Sequence, residues 1–255
     1  DFTKWDDQPV SLQHFAQSFV RAYKLAMTPS YEPVALALDA ELQEMTANDR
    51  AKLTIPRYVP TAPPQGDLNA VREAARLLAN AEHPVIVADK CARTPNGVKL
   101  LVELAEALQA PVIDQKGRMN FPNTHHLSQN ARSRALIGEA DVILGLELSD
   151  YWATVNAFID NGEINGTGLQ ESHIKATTKL ISISSVLLNT KSNYQDFQRL
   201  QVVDIEMAAD AEATLPALIE AVKQAPPASR KAANEARGVG MKKAWSEARD
   251  RTRQA

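Results

Sequence analysis

Short apolar segments alternate with amphipathic segments between residues 67 and 225, and this alternation most constrains the fold. Strands are predicted at 84–89, 111–115, 141–148, 179–184 and 200–207. Helices are predicted at 68–81, 97–108, 129–138 and 211–224, each with apolar residues three and four positions apart. Continuous apolar strands separated by helices are typical of a parallel sheet covered on both sides. We therefore predict an α/β domain with a Rossmann-like parallel sheet and helices on both faces.

Two stretches depart from this alternation. Residues 149–177 are polar and rich in glycine, which favours a long loop or a partly helical insertion. Residues 226–255 carry more Lys and Arg than acidic residues, which predicts a mostly solvated basic helix or a linker to a further domain. Three apolar residues are its possible docking points, namely Val239, Met241 and Trp245.

Residues 1–44 hold one amphipathic helix and one apolar strand, and a Pro-rich linker follows at 45–66. The predicted inward stripe of the helix consists of Leu12, Phe15, Phe19, Ala22, Tyr23 and Ala26. The strand segment PVALALD is apolar on both faces, as in a covered parallel sheet. One helix and one strand cannot bury these surfaces by themselves. We expect residues 1–44 to be the remnant of a preceding α/β domain, and the chain to be a fragment of a larger parent.

Composition excludes several function classes. The net charge of −3 is not that of a chain that binds nucleic acid or an anionic membrane surface. The single cysteine, Cys91, excludes an internal disulfide framework and a metal site with several cysteines. No apolar run approaches the roughly 20 residues of a membrane-spanning helix. We expect a cytoplasmic protein with no nucleic-acid or membrane partner.

The loop after the second predicted strand offers the best candidate binding residues. In open α/β sheets, ligands gather at the carboxyl ends of the strands. Lys116 and Arg118 flank Gly117 there, so two cations and a flexible backbone could meet a phosphate of a nucleotide. The alternative is a surface turn with solvated charges. The loop after the first strand contains Gly97 alone, late in the loop, and so lacks a dinucleotide fingerprint.

Other candidate residues favour structural roles. Glu147 and Asp150 follow the third predicted strand, where interdomain hydrogen bonds are favoured over carboxylate catalysis. Cys91 follows a strand and could be a nucleophile, but no histidine partner can be placed beside it, so a packed side chain is favoured. His125 and His126 are adjacent, and their side chains are expected to diverge in a loop or an interface rather than bind a metal.

A possible diphosphate–metal motif fails on its own spacing. Gly66 and Asp67, taken with Asn96, have the residue types of such a motif. Leu68 stands where the motif needs a glycine, and the pair precedes a helix instead of ending a strand. We therefore predict no metal site here, and Asp67 is expected to cap the following helix.

The order of these segments resembles thiamine diphosphate enzymes of the acetolactate synthase and benzoylformate decarboxylase group. Residues 3–39 resemble the closing helix and strand of their pyrimidine-binding domain, with matches at Arg21, Ala22, Ala26, Pro33, Val34 and Asp39. The segments HPVIVAD, LAEALQAPVIDQKGRMNFPNTHHL and IGEADVILGLE resemble successive parts of the central domain. The resemblance implies a remnant at 1–44, a linker at 45–66, a central domain at 67–225 and a tail at 226–255.

The resemblance also implies a function for the parent. It would act on 2-oxo acids or related compounds, as a carbon–carbon lyase or an acetolactate synthase-like transferase, with thiamine diphosphate and magnesium. Both would be bound by the flanking pyrimidine- and diphosphate-binding domains, across the subunits of a homo-oligomer, so no catalytic residue carries over to this chain. We expect this chain alone to be inactive and not to bind thiamine diphosphate.

The sequence departs from the family pattern at several positions. Glu32 stands where glycine is usual. Ala88, Asp89 and Lys90 replace glycines that let some relatives hold FAD or ADP, and Glu147 replaces another, which disfavours both nucleotides here. Two other hypotheses stay open, a stand-alone nucleotide- or CoA-binding module and a non-catalytic structural subunit.

Overall fold

A computed structural model describes residues 3–44, 46, 52–159, 169–188, 199–225 and 228–254. The chain forms two compact units. The N-terminal unit comprises residues 1–64 and 185–193, and the sheet unit comprises residues 65–184 and 194–255. No helix in the described ranges combines the length and the hydropathy that crossing a bilayer requires.

The N-terminal unit pairs two short parallel strands beside a helix. Its elements are β1 (Trp5–Asp7), α1 (Leu12–Ala26), β2 (Val34–Leu36) and α2 (Ala40–Glu44). Strand β1 was not expected from the sequence, and the predicted strand after α1 is only three residues long. The Ser11 hydroxyl accepts a hydrogen bond from the His14 amide at 3.1 Å and so caps α1.

The buried side of α1 differs from the predicted apolar stripe. Ser18 and Ala22 are its buried residues, while Phe19 and Tyr23 are 58% and 50% exposed. The Ser18 hydroxyl donates a hydrogen bond to the Asp7 carboxylate at 2.5 Å, so a polar contact orients the helix against β1. One helix and one strand were not expected to bury this stripe by themselves, and the burial of Phe19 and Tyr23 in a larger core stays a prediction.

The sheet unit alternates helices and strands as predicted. Its first half contains α3 (Leu68–Asn80), β3 (Pro84–Ala88), α4 (Pro95–Leu108), β4 (Val112–Asp114), α5 (Ser133–Glu139) and β5 (Val142–Leu146). Its second half contains α6 (Tyr151–Val155), β6 (Asn156–Ile159), β7 (Leu169–Ser172), β8 (Lys179–Ser184), β9 (Ile205–Ala208), α7 (Ala211–Gln224) and α8 (Ala228–Gln254). A single 3-10 turn at Asn130–Arg132 leads directly into α5.

Five parallel strands form the central sheet in the order β4-β3-β5-β8-β9. Every residue of β3 and β5 is buried, as expected for a sheet covered on both faces. One face packs against α3, α4 and α7 through a cluster that includes Leu78, Leu104 and Leu215. The other face packs against α5 and α6 through a cluster that includes Ile137 and Val155. The predicted Rossmann-like α/β sheet with helices on both faces is confirmed.

Three local predictions differ from the structure. The last strand starts at Ile205, because Leu200 and Val202 are 82% and 76% exposed and belong to the approach to the sheet. The stretch 149–177 is partly helical, as one expected alternative had it, because it contains α6, but its antiparallel pair of β6 with β7 was not expected. Residues 160–168, with the glycines of that stretch, lie outside the described residues. Leu68 is the first apolar residue of the helix predicted at 68–81, yet it is 52% exposed at the start of α3 and does not join the core.

Helix α8 confirms the predicted helical tail, although its attachment differs from the prediction. Val239 is 70% exposed, whereas Met241 packs against both apolar clusters. The main attachment is Arg237, which sequence reasoning did not single out. Its guanidinium donates hydrogen bonds to the backbone carbonyls of Glu82, Leu108 and Gln109. These carbonyls lie at the ends of α3 and α4, where a cation complements the negative end of each helix dipole.

Candidate functional site

The carboxyl ends of β3 and β5 mark the place where this fold usually binds ligands. The chain runs from β3 to β4 on one side and continues through β5 on the other, so the topological switch point lies between β3 and β5. We call the space between the loops after these two strands the switch crevice. Its loops are residues 89–94 and 147–150.

A buried carboxylate joins the two loops across the switch crevice. Asp89 is 5% exposed, and its Oδ2 accepts hydrogen bonds from the Ser149 amide at 3.0 Å and from the Ser149 hydroxyl at 2.5 Å. A Cβ atom on Gly117 would overlap the other oxygen of the same carboxylate. The Asp89 side chain therefore occupies the space that a ligand would need between the loops.

A second buried side chain ties the loop after β4 to the same place. Asn120 is fully buried, and its Oδ1 accepts hydrogen bonds from the amides of Cys91 and Ala92 at 3.1 and 3.0 Å. Its Nδ2 donates to the Asp89 carbonyl at 2.5 Å and to the Asp114 carboxylate at 2.9 Å. Because amides and carbonyls of the loops are paired internally, few backbone groups remain to bind a phosphate here.

The predicted phosphate-binding residues lie on the outside of this network. Lys116, Gly117 and Arg118 are all exposed. The Lys116 amide donates to the Asp114 carboxylate at 2.8 Å, so it is already paired. Lys116 has a φ of 68°, in the left-handed region, which fixes the sharp bend of the loop. The structure thus brings the three residues together in a surface turn, and their role in binding stays a prediction.

Lys116 also lines an open cavity of about 510 Å³ beside β4. Arg134 and His173 are the other basic residues of its wall. The Arg134 guanidinium lies 4.0 Å from the Glu171 carboxylate. On the same wall, the side-chain amide of Gln115 donates a hydrogen bond to the Thr154 hydroxyl at 2.8 Å. Arg118 is not part of this wall, so the two predicted cations do not converge on one cavity.

Helix N-termini are the usual anion sites of such a fold, and at α4 and α7 the chain's own carboxylates occupy them. At α4, the Glu212 carboxylate accepts hydrogen bonds from the amides of Arg93 and Thr94 at 2.6 and 3.2 Å, and from the Thr94 hydroxyl at 2.6 Å. A Cβ atom on Gly97 would overlap this carboxylate, so the glycine leaves the room that Glu212 needs. Glu212 therefore stands where a ligand phosphate would approach α4.

The N-terminus of α7 holds two more buried carboxylates. Asp210 accepts a hydrogen bond from the Ala213 amide at 2.8 Å and forms an ion pair with Arg93. Glu147 accepts a hydrogen bond from the Ala211 amide at 2.9 Å, with the Ser184 hydroxyl 3.4 Å from its other oxygen. Glu147 adopts a φ of 51°, a left-handed conformation that costs about 1 kcal/mol or more in a residue with a Cβ atom. These contacts lie within the sheet unit, where Glu147 caps α7; an interdomain role for Glu147 stays a prediction.

The remaining candidates have structural partners. Asp150 caps α6 through the Ala153 amide at 2.8 Å, and Asp67 caps α3. Cys91 is fully buried, and burial, followed by the nearby Glu147 carboxylate, strongly raises the pKa of its thiol. A protonated buried thiol is a packed side chain and not an activated nucleophile, as expected.

The adjacent histidines do not diverge as predicted. The rings of His125 and His126 stack with centroids 4.5 Å apart, and His125 Nε2 lies 3.2 Å from the Glu106 carboxylate. Burial, followed by the charges of His125 and Lys242, lowers the pKa of His126. Within the described ranges, no three His, Cys, Asp or Glu side chains converge in a way that could hold a metal ion.

Comparison with known proteins relates this fold to one group of enzymes. A family model described as "Thiamine pyrophosphate enzyme, central domain" matches residues 71–218. A protein of Rhizobium meliloti (strain 1021), described as a probable sulfoacetaldehyde acetyltransferase, is 37% identical over 100 residues. That alignment covers 36% of this chain and 17% of the relative.

Two solved structures share the fold at low sequence identity. Benzoylformate decarboxylase from Polynucleobacter necessarius superposes with a TM-score of 0.64 at 20% identity, covering 88% of this chain and 40% of that one. A protein of Mycobacterium smegmatis assigned to the thiamin diphosphate-dependent enzymes gives a TM-score of 0.61 at 18% identity, with 89% and 40% covered. The family match spans more than half of the chain. The chain therefore belongs to the thiamine pyrophosphate enzymes, of which it carries the central domain.

Proposed function

We propose that this chain is part of a thiamine diphosphate-dependent enzyme that breaks or forms a carbon–carbon bond beside a 2-oxo group. Membership of the family is the observation that carries the proposal. The names of the similar proteins, an acetyltransferase and a decarboxylase, agree with either a transferase or a lyase reaction. When bound, the cofactor supplies a carbon nucleophile and an electron sink.

The described residues of this chain do not fit the magnesium diphosphate group themselves. They contain no cluster of side chains that could hold a metal ion. Asp67 is the carboxylate of the possible diphosphate–metal motif. It accepts hydrogen bonds from the Asn69 and Ala70 amides and so caps the N-terminus of α3. We therefore assign cofactor and magnesium binding to the flanking pyrimidine- and diphosphate-binding domains.

The proposed role of the sheet unit is to hold those domains in position without a nucleotide of its own. The support is a set of carboxylates around the switch crevice, which fill the positions where a pyrophosphate would sit. Asp89, Glu147 and Asp210 are buried, and Glu212 is half-buried. A dinucleotide would have to displace these groups and would meet their negative charge. This favours a central domain free of FAD and ADP.

The proposal extends to the organisation of the parent enzyme. Residues 1–44 would form the last part of the pyrimidine-binding domain, and residues 45–66 would link it to the central domain at 67–225. Residues 226–255 would lead to a further domain. A homo-oligomeric, cytoplasmic parent agrees with the family resemblance and with the ordinary composition of the chain.

Calorimetry with thiamine diphosphate and magnesium tests the assignment of the cofactor. We expect no binding by the 255-residue chain and micromolar binding by a protein whose coding frame includes the flanking domains. Turnover of a 2-oxo acid by the longer protein, and not by this chain, would support the proposed reaction class. Micromolar binding of thiamine diphosphate by this chain would contradict the proposal.

A nucleotide- or CoA-binding module is the second candidate, and the cavity beside Lys116 is the observation that favours it. The same chain is titrated with ADP, FAD and CoA, followed by a double variant with Lys116→Gln and Arg118→Gln. Binding in the micromolar range that the double variant weakens would favour this module over the nucleotide-free scaffold. Co-purification with a separate thiamine-binding chain would instead favour a structural subunit.

A further inference from the structure

A groove on the sheet unit lies at the amino ends of the strands, away from the switch crevice. Its volume is about 680 Å³, within the range of small-molecule sites. The floor is apolar and consists of Pro84, Val85, Pro111, Leu136 and Met241. Val85 and Leu136 are only 2% and 5% exposed, so the floor is the outer layer of the packed core.

Helix α8 forms one wall of the groove with unusually small side chains. The wall positions between its arginines are Ala233, Gly240 and Ala244. A Cβ atom on Gly240 would have no atom within 4 Å, whereas one on Gly238 would overlap the Gln109 side chain. The close approach of Gln109 therefore explains why position 238 is a glycine, but no neighbouring atom explains the glycine at position 240. A glycine inside a helix costs about 1 kcal/mol relative to alanine, so Gly240 lowers the stability of α8 without a packing reason. The groove stays open at these three positions because α8 places no larger side chain there.

The rim of the groove carries one more positive charge than negative charge, from three arginines and two glutamates. The arginines are Arg132, Arg230 and Arg237, and the acids are Glu82 and Glu139. The Arg237 guanidinium donates its hydrogen bonds to backbone carbonyls and to the Asn234 side chain. It therefore contributes positive charge to the groove but has few donors left for a ligand. Arg230 lies 3.7 Å from Glu82, a loose pair that a second carboxylate could share.

We propose that this groove binds a small amphiphilic monoanion, an apolar or aromatic body that bears one carboxylate or sulfonate. The body would cover the Pro84, Val85 and Leu136 floor, and the anionic group would pair with Arg132 and Arg230 at the rim. The single excess positive charge favours one negative charge on the ligand. The inference rests on the groove alone and does not depend on the proposed function.

The test uses a matched pair of fluorescent probes on the 255-residue chain. The anionic probe is 8-anilinonaphthalene-1-sulfonate, and N-phenyl-1-naphthylamine is its neutral counterpart without the sulfonate. We expect the anion to bind with enhanced fluorescence, and an Arg132→Gln, Arg230→Gln double variant to weaken it about fivefold while changing the neutral probe less than about twofold. Equal losses for both probes, or no loss for either, would overturn the role of the arginines.

Two variants of α8 locate the bound probe. Ala233→Trp fills the groove, and Ala232→Trp places the same bulk on an exposed position outside the groove lining. We expect Ala233→Trp to weaken the anionic probe about tenfold and Ala232→Trp to leave its affinity unchanged. Unchanged affinity in Ala233→Trp would place the probe elsewhere, for example on the exposed aromatic residues of α1, and would refute the proposal.

Sedimentation distinguishes a ligand groove from an interface between two copies of this chain. The wild type and Ala233→Trp are expected to sediment alike. A dimer that Ala233→Trp converts to monomers would show that a second copy occupies the groove, which would replace the proposal. Circular dichroism and urea midpoints close to the wild type confirm that each variant is folded.

Discussion

Replacing Arg237 by methionine would remove the main polar attachment of α8. The guanidinium Nε donates to the Gln109 carbonyl at 3.0 Å, and the two terminal nitrogens donate to the Glu82 and Leu108 carbonyls at 2.8 and 2.5 Å. Methionine keeps much of the length and apolar contact of the arginine stem but has no donor. The substitution therefore isolates the hydrogen bonds and the charge.

The expected cost follows from the number and setting of these bonds. The guanidinium is only partly exposed, and burial lowers the pKa of Arg237 against the attraction of Asp141; an arginine side chain nevertheless stays charged in proteins. Each of the three hydrogen bonds to backbone carbonyls contributes about 0.5–1 kcal/mol. The lost attraction to the ends of α3 and α4 adds about 0.5 kcal/mol each. Arg237→Met should thus destabilise the chain by about 2.5–4 kcal/mol.

Urea unfolding followed by circular dichroism measures this loss. Arg251→Met is the matched control, because Arg251 is exposed near the end of the same helix and should change the stability by less than about 0.5 kcal/mol. Hydrogen exchange of the last turns of α3 and α4 should accelerate in Arg237→Met and not in the control. A loss below about 0.5 kcal/mol in Arg237→Met would show that α8 is held by its apolar contacts and would refute this reasoning.

Three further predictions concern single positions. Gly97→Ala should lower the free energy of unfolding by about 1–2 kcal/mol, because its Cβ atom displaces Glu212 from three donors. Gly240→Ala should instead raise the free energy of unfolding by about 0.5–1 kcal/mol, and equal losses for both variants in urea unfolding would contradict this. Cys91 should resist a thiol reagent in the native chain and react in concentrated urea; rapid native labelling would disprove its burial. His126 should titrate in NMR below its ordinary pKa of 6.5, because burial lowers that pKa. Between the folded and unfolded pKa values the unfolded chain binds more protons, so the stability should fall as the pH drops through this range; a pKa of His126 above 6.5 would contradict its burial.

The sequence predicts the sheet well because its signal is local. Each strand is a short apolar run and each helix repeats its apolar residues, so β8 and α7 begin and end where expected. The errors arise where apolar residues are not buried. Leu200 and Val202 extend the apolar pattern of β9 without joining the sheet. The spacing of apolar residues identifies a helix, but it does not show which other element packs against the apolar side of that helix.

The candidate site was harder to predict because its contacts join distant parts of the chain. Glu212 resembles an ordinary acidic residue in the first turn of a helix, yet its partners are Arg93 and Thr94, more than a hundred residues earlier. Asn120 carries no motif, and only its burial between two loops reveals its role. The departure of Asp89 and Glu147 from the glycine pattern was the available signal. It indicated a lost nucleotide site, but not that the new side chains would bind the amides themselves.

Covalent attachment gives these carboxylates an advantage over any dissolved anion. Glu212 is held next to the Arg93 and Thr94 amides by the first turn of α7, so its effective concentration there is at least in the millimolar range. A free phosphate must compete with this tethered group as well as pay the entropy of association. The α4 N-terminus is therefore already occupied, and a ligand phosphate would have to displace Glu212 to bind there.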